Sequence, residues 1–124
     1  MWTSQIGNTE FNGAVKSSLE NAGLYSENGR YKLHINITHI SEPLFGLDFE
    51  VKMYVTYTLI DSSTNKEVLN KNVTSSYTAT VSDSFVAIQR LRLANEGSGK
   101  ENIKLLLAEL ANLKIDSTDV SVSK

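Results

Sequence analysis

Residues 83–113 are the longest helix-compatible stretch of the chain, and they restrict what the other residues can form. A continuous α-helix over this stretch would be about 46 Å long. Residues 47–60 alternate apolar and polar side chains as far as Leu59, as expected of a strand with one buried face. That strand would also be about 46 Å long. The equal lengths favour one long helix lying along a sheet.

Within the long segment, apolar residues recur at helical spacing. The predicted buried positions are Phe85, Ile88, Leu91 and Ala94, then Ile103, Leu106, Leu107, Leu110 and Leu113, with Ala94, Ser98 and Asn102 carrying the stripe through the middle. Ser82 or Asp83 can cap this helix, and Thr80 with Asp83 has capping-box spacing. Against continuity, Gly97 and Gly99 together cost about 2 kcal/mol relative to alanine. Two alternatives therefore stay open: one continuous or kinked helix, or two helices joined by a Gly-Ser-Gly turn.

The residues before this helix predict one further helix and three strands. The helix spans 9–22 and buries Phe11, Val15, Leu19 and Ala22, and Gly23 ends it in the left-handed region. A turn with positive φ at Asn28-Gly29 follows, and then strands at 31–40, 47–60 and 67–80.

These elements predict a single domain over residues 1–124, because a chain of 124 residues is of single-domain size. The fold class is α+β with two layers: an antiparallel three-stranded β-meander with two helices packed on one face, in the order α-β-β-β-α. Residues 1–7 are a lead-in, and Leu44 and Phe45 are expected to fold back over the sheet edge. Residues 115–124 are a flexible tail or a minor edge strand.

Composition narrows the possible partners. The formal net charge is −2 with no block of like charges, which argues against nucleic acid and against tight docking on anionic lipid headgroups. The chain has no cysteine, and therefore no disulfide framework or thiolate chemistry. Residues 1–5 are not expected to act as a signal peptide, because they have neither a basic region nor an apolar core, and no apolar run in the sequence is long enough to span a membrane.

No catalytic, cofactor or metal site is predicted. His34 and His39 lie five residues apart on one strand and should point to opposite faces, so they cannot share a metal. Gly97-Ser98-Gly99-Lys100 lacks the spacing of a phosphate-binding loop. The candidate partner-binding patch is Arg90, Arg92, Asn95 and Glu96, in which Arg92 and Glu96 can pair at i,i+4; the alternative is a solvated helix face. The polar face of the sheet, rich in Thr and Asn, is either solvated or a partner surface.

Three stretches carry a resemblance to a known group of proteins. They are FNGAVKSSLENAGL (11–24), LDFEVKMYVTYTLIDSSTNKEV (47–68) and SFVAIQRLRLANEGSGKENIKLLLAEL (84–110). The first resembles the Phe-x2-Ala-(Val/Leu)-x2-Ser-Leu-x2-Ala-Gly-Leu opening of small bacterial envelope lipoproteins of unknown function. In architecture the chain is similar to outer-membrane lipoproteins of the lipopolysaccharide-assembly and ABC-transport-auxiliary types.

The resemblance implies a non-catalytic envelope accessory or binding domain that needs no cofactor. Its expected partner is an envelope protein or a lipid-transport component, and it would touch the membrane only through a lipid anchor outside these residues. The implied location is the periplasm or the inner face of the outer membrane. The alternative is a cytoplasmic domain that binds a small ligand, or a small enzyme.

Overall fold

The computed structural model describes residues 8–42, 47–83, 86–115 and 118–123. Predicted features at residues 1–7, at Leu44 and Phe45 and at Phe85 lie outside these ranges. The elements in chain order are α1 (Asn8–Asn21), β1 (Tyr31–Ser41), β2 (Phe49–Asp61), β3 (Lys66–Ala79), α2 (Ala87–Asn112) and β4 (Val120–Val122).

The sheet has four strands in the order β3-β2-β1-β4, and both helices cover the same face of it. β1, β2 and β3 form the predicted antiparallel meander. The prediction of three strands was wrong by one, because Val120–Val122 pairs parallel to Tyr31–Leu33 at the β1 edge. Of the two alternatives for the chain end, the structure therefore has the edge strand.

The alternating pattern of β2 determines which of its side chains enter the core. The side chains at 49, 51, 53, 55, 57 and 59 are buried, and those at 50, 52, 54, 56 and 58 are on the other face, as predicted. Against the buried face lie three side chains of α1, Phe11, Val15 and Leu19, and three of α2, Ile103, Leu106 and Leu110. A smaller cluster of Phe49, Val51, Ala79 and Ala94 continues the core toward the start of α2.

The end of α1 confirms the predicted glycine cap. Gly23 has φ 74°, and its N–H donates to Glu20 O at 3.0 Å. The N–H of Leu24 donates to Leu19 O at 2.8 Å, which completes a Schellman motif with a buried apolar residue after the glycine. Ala22, predicted to be buried, is exposed because it falls beyond the last helical turn.

The helix α2 is continuous through Gly97-Ser98-Gly99, which confirms the first of the two alternatives. The predicted central stripe is also confirmed, since Ala94, Ser98 and Asn102 are all fully buried. No helix in the described ranges is both long enough and apolar enough to cross a bilayer.

The first turns of α2 differ from the prediction. The helix begins at Ala87 rather than near Asp83, although Asp83 Oδ2 does accept the N–H of Thr80 at 2.7 Å. Ile88 is 55% exposed, whereas Arg90 is buried. The reason is that the guanidinium of Arg90 covers the ring of Phe49, so this turn faces the sheet with Arg90 instead of Ile88.

Gly97 lies against β3, where the absence of a side chain leaves room for the ring of Tyr77. A Cβ built on Gly97 would lie 2.6 Å from Cδ2 of Tyr77 and closer still to Cγ, at the root of the ring. The helix can therefore approach the strand only because residue 97 has no side chain.

We expect Gly97→Ala to destabilise the protein by about 1–2 kcal/mol, since the clash outweighs the better helix propensity of alanine. Tyr77→Thr removes the ring, and in that background Gly97→Ala should be neutral or stabilising by about 0.5–1 kcal/mol. Urea denaturation of the four proteins measures this cycle. The same loss in both backgrounds would show that the ring is not the obstacle.

A second glycine permits the β1–β4 junction. A Cβ on Gly29 would lie 2.9 Å from the backbone N of Val120 and would overlap the carbonyl of Asp119. The prediction of positive φ at Asn28-Gly29 was wrong, because Gly23 is the glycine with positive φ among the described residues. Gly29 is needed instead because its backbone lies directly against the backbone of Asp119 and Val120.

Beside this junction, a bidentate ion pair joins Arg30, the residue before β1, to Asp61 at the end of β2. Nε and Nη2 of Arg30 donate to Oδ1 and Oδ2 of Asp61 at 2.9 and 2.6 Å, and Ser63 donates its N–H and its hydroxyl to Oδ1. The hydrogen bond from Arg30, followed by that from Ser63, holds the pKa of Asp61 well below its usual range.

A depressed folded-state pKa gives stability that is present above the unfolded pKa of about 4 and is lost as pH falls below it. We therefore expect Arg30→Gln to lower the urea midpoint most at neutral pH, and the difference from wild type to shrink below about pH 4. Lys32→Gln, two residues further along in β1, is the control and should show no such trend. A constant Arg30→Gln difference from pH 7 to pH 3 would contradict the assignment.

Candidate partner-binding surfaces

The structure divides the predicted patch between the interior and the surface. Arg90 is buried, with its guanidinium carbon 4.9 Å from the centre of the Phe49 ring. Asn95 is fully buried, and its Nδ2 lies 3.5 Å from Oε2 of Glu42, just past the end of β1. Both residues therefore help to hold the start of α2 against the sheet.

The other two patch residues are half-buried and do not pair with each other. Glu96 accepts from Lys100, with Nζ 3.4 Å from Oε1, so the predicted Arg92–Glu96 pair is replaced by the next i,i+4 pair along the helix. Nε of Arg92 has no hydrogen-bond acceptor in the described part of the chain. The four residues do not form one surface, and partner binding by the patch stays a prediction.

A buried polar network lies between the middle of α2 and the sheet. The hydroxyl of Tyr57 donates to Oδ1 of Asn102 at 2.6 Å. Nδ2 of Asn102 lies 3.0 Å from Oγ of Ser75, and the Ser75 hydroxyl in turn donates to the carbonyl of Ser98 at 2.8 Å. Nδ2 also faces two strand carbonyls, Val73 O at 3.1 Å and Met53 O at 3.3 Å.

The chemistry of this network is structural. Burial raises the pKa of Tyr57 far above its ordinary value, so the hydroxyl remains a neutral donor at any physiological pH. The side chains are closed off from solvent and are hydrogen-bonded to one another. Sequence reasoning placed Ser98 and Asn102 on the buried stripe but missed the network. The network could have been inferred from the sequence, because polar side chains on a buried stripe require hydrogen-bond partners.

The opposite face of the sheet carries polar side chains in rows that cross three strands. Asn36, Thr56 and Asn72 form one row, and His39, Tyr54 and Thr74 form the next. The hydroxyl of Thr56 donates to Oδ1 of Asn72 at 2.7 Å. A shallow depression of about 340 Å³ lies over these rows. Since both helices occupy the other face, none of the described elements covers this one.

The two histidines lie on this same face, which corrects the prediction of opposite faces. A bulge between Ile37 and His39 shifts the register, so His39 pairs with Tyr54 while His34 pairs with Thr58. The His39 and Tyr54 rings are 5.6 Å apart between centroids. The four-residue offset on β2 still separates the histidines by about 13 Å. Among the described residues, no group of three or more His, Cys, Asp or Glu side chains is placed to hold a metal.

A comparison with solved structures finds the same fold. The chain superposes with a TM-score of 0.66 on a crystal structure described as "a putative lipoprotein from Caulobacter crescentus". The match covers 89% of this chain and 85% of that one, at 19% sequence identity. No protein-family profile and no curated protein sequence matches the chain. At this identity the likeness concerns the fold alone, and it confirms that the α+β fold of this chain is lipoprotein-like.

Proposed function

We propose that the chain is a non-catalytic binding domain of an envelope lipoprotein, attached to the membrane through a lipid anchor outside these residues. The observation that carries the proposal is the shared fold over most of both chains. Fold alone does not fix function, so the location requires its own experiment.

Metabolic labelling tests the location directly. The full-length gene is expressed in its native cell with a palmitate analogue, and the protein is recovered from separated membrane and soluble fractions. We expect label on the protein and recovery with the outer membrane. An unlabelled protein found only in the cytoplasm would overturn the proposal.

The proposed partner surface is the open face of the sheet. Its central rows contain hydroxyl, amide and aromatic side chains, and they include exposed residues from both β1 and β3. Such side chains suit a polar protein surface, since interfaces combine aromatic anchors with hydrogen-bonding groups. The partner is an envelope protein or a component of lipid transport.

Site-specific photo-crosslinking can distinguish this surface from the Arg92–Glu96 region. A photoreactive side chain is placed at Asn72 on the open face, at Arg92, or at Ser17 on the exposed side of α1 as the control. We expect a discrete adduct from position 72 in living cells, identified by mass spectrometry as an envelope protein. An adduct from position 92 alone would move the partner site to the predicted patch.

A further inference from the structure

The second part of β3, residues 72–79, is a strand edge without the protection that isolated domains give to their edges, whereas the first part carries Lys66, Glu67 and Lys71. Within the described ranges, nothing pairs with its outer side along Lys66–Ala79. Edges of monomeric proteins are blocked by prolines, charges, bulges or short length. Residues 72–79 contain no proline and no charge, and the β2–β3 register shift lies at the other end, near Leu59 and Ile60.

Exposed apolar side chains line the same side of the molecule. Leu93, Gly97, Glu101, Leu105 and Glu109 are four residues apart on α2 and form one stripe. Two contacts place this stripe beside β3: Gly97 lies against Tyr77, and Glu109 is 3.7 Å from Lys71. Leu93 is 41% exposed, Leu105 38% and Tyr77 47%.

The β3 sequence is complementary to itself. In an antiparallel pair, opposite residues share a face, so a two-fold axis at Ser75 places Val73 opposite Tyr77 of a second copy. Thr74 then lies opposite Ser76, and Lys71 opposite Ala79. Aromatic with β-branched pairs and hydroxyl pairs are favourable across strands, and no like charges meet.

The helices fit the same arrangement. The amide of Asn102 reaches carbonyls of both β2 and β3, so α2 lies above the space between these strands. With strands about 4.8 Å apart, the two-fold axis would bring the two α2 axes to roughly 10 Å, which is helix-packing distance. Leu93 of one copy then comes near Leu105 of the other.

We propose that β3 is a self-association edge, at which a second copy of this chain pairs antiparallel about Ser75 and the two α2 stripes meet. The dimer has one continuous eight-stranded sheet with all four helices on one face. Each interface uses the same residues from both copies, as a closed two-fold dimer requires. The open polar face doubles in area and stays uncovered.

Sedimentation tests this between roughly 1 μM and 1 mM. We expect wild type to approach twice the chain mass of 13.7 kDa as concentration rises. Thr74→Lys places two like charges beside the axis and should raise the dimer dissociation constant about tenfold or more. Thr58→Lys, on the same face of the central strand β2, is the control and should leave association unchanged.

Charge rescue tests the register. Ser76→Glu added to Thr74→Lys places opposite charges across the axis and should restore the dimer. On the helix, Leu93→Glu should weaken association, whereas Ile88→Glu, on another side of α2, should not. A wild type that stays monomeric at 1 mM would overturn the proposal, as would equal effects of Thr74→Lys and Thr58→Lys. If the double variant remains as weakly associated as Thr74→Lys alone, the proposed register is wrong.

Discussion

Asn102→Ala should lower the free energy of unfolding by about 3 kcal/mol or more, the largest loss that we expect from a single polar side chain. The buried Tyr57 hydroxyl would lose its acceptor, and an unsatisfied buried group costs about 1–3 kcal/mol. The amide group of Asn102 also donates to Oγ of Ser75 and to the carbonyls of Val73 and Met53, and these hydrogen bonds would be lost as well. A small cavity adds to the loss.

Urea denaturation with two further variants measures how this loss arises. Asn112→Ala, at the exposed end of the same helix, is the control and should change stability by less than about 0.5 kcal/mol. Tyr57→Phe should cost about 1–2 kcal/mol alone and much less in the Asn102→Ala background, because the two groups share one hydrogen bond. Additive losses would mean that the bond between Tyr57 and Asn102 contributes nothing.

Leu106→Ala should cost about 2–5 kcal/mol. Leu106 is fully buried in the cluster that also contains Val55 of β2 and Leu19 of α1, so truncation leaves a cavity where both helices meet the sheet. Ile88→Ala, on the same helix but largely exposed, should cost under about 1 kcal/mol. An unchanged denaturation midpoint for Leu106→Ala would place this residue outside the core.

The regular parts of the fold follow from local patterns. The alternation of β2 predicts its buried face, because each side chain on a strand points opposite to its neighbours. The steps of four through Ala94, Ser98 and Asn102 favour the continuous α2 over two helices joined by a Gly-Ser-Gly turn. Two glycines do not break it, because burial of this face against the sheet outweighs their unfavourable propensity.

The features that were not predicted depend on partners distant in sequence. Arg90 and Asn95 are polar, and two of the contacts that accompany their burial, the ring of Phe49 and the carboxylate of Glu42, are distant in sequence. β4 has two apolar residues, which left a flexible tail and a minor edge strand as alternatives, and its pairing with β1 decides for the strand. The bulge after Ile37, which moves His39 to the open face, has no mark in the local sequence.

The parallel pairing of β4 with β1 also bears on the order in which the chain folds during synthesis. The N–H groups of Asp119 and Val120 donate to the carbonyl of Leu24, and Ser26 donates to Val120 O. A ribosome or a translocation pore releases α1 and β1 long before residue 119, so the carbonyl of Leu24, the N–H of Ser26 and the start of the β1 edge stay unpaired until residues 119–122 emerge. Pairings between the two ends of a chain form slowly, because a long loop must close. The growing chain therefore carries an open edge at Tyr31–Leu33 until residues 120–122 emerge, and during that interval it is more exposed to aggregation and in greater need of a chaperone.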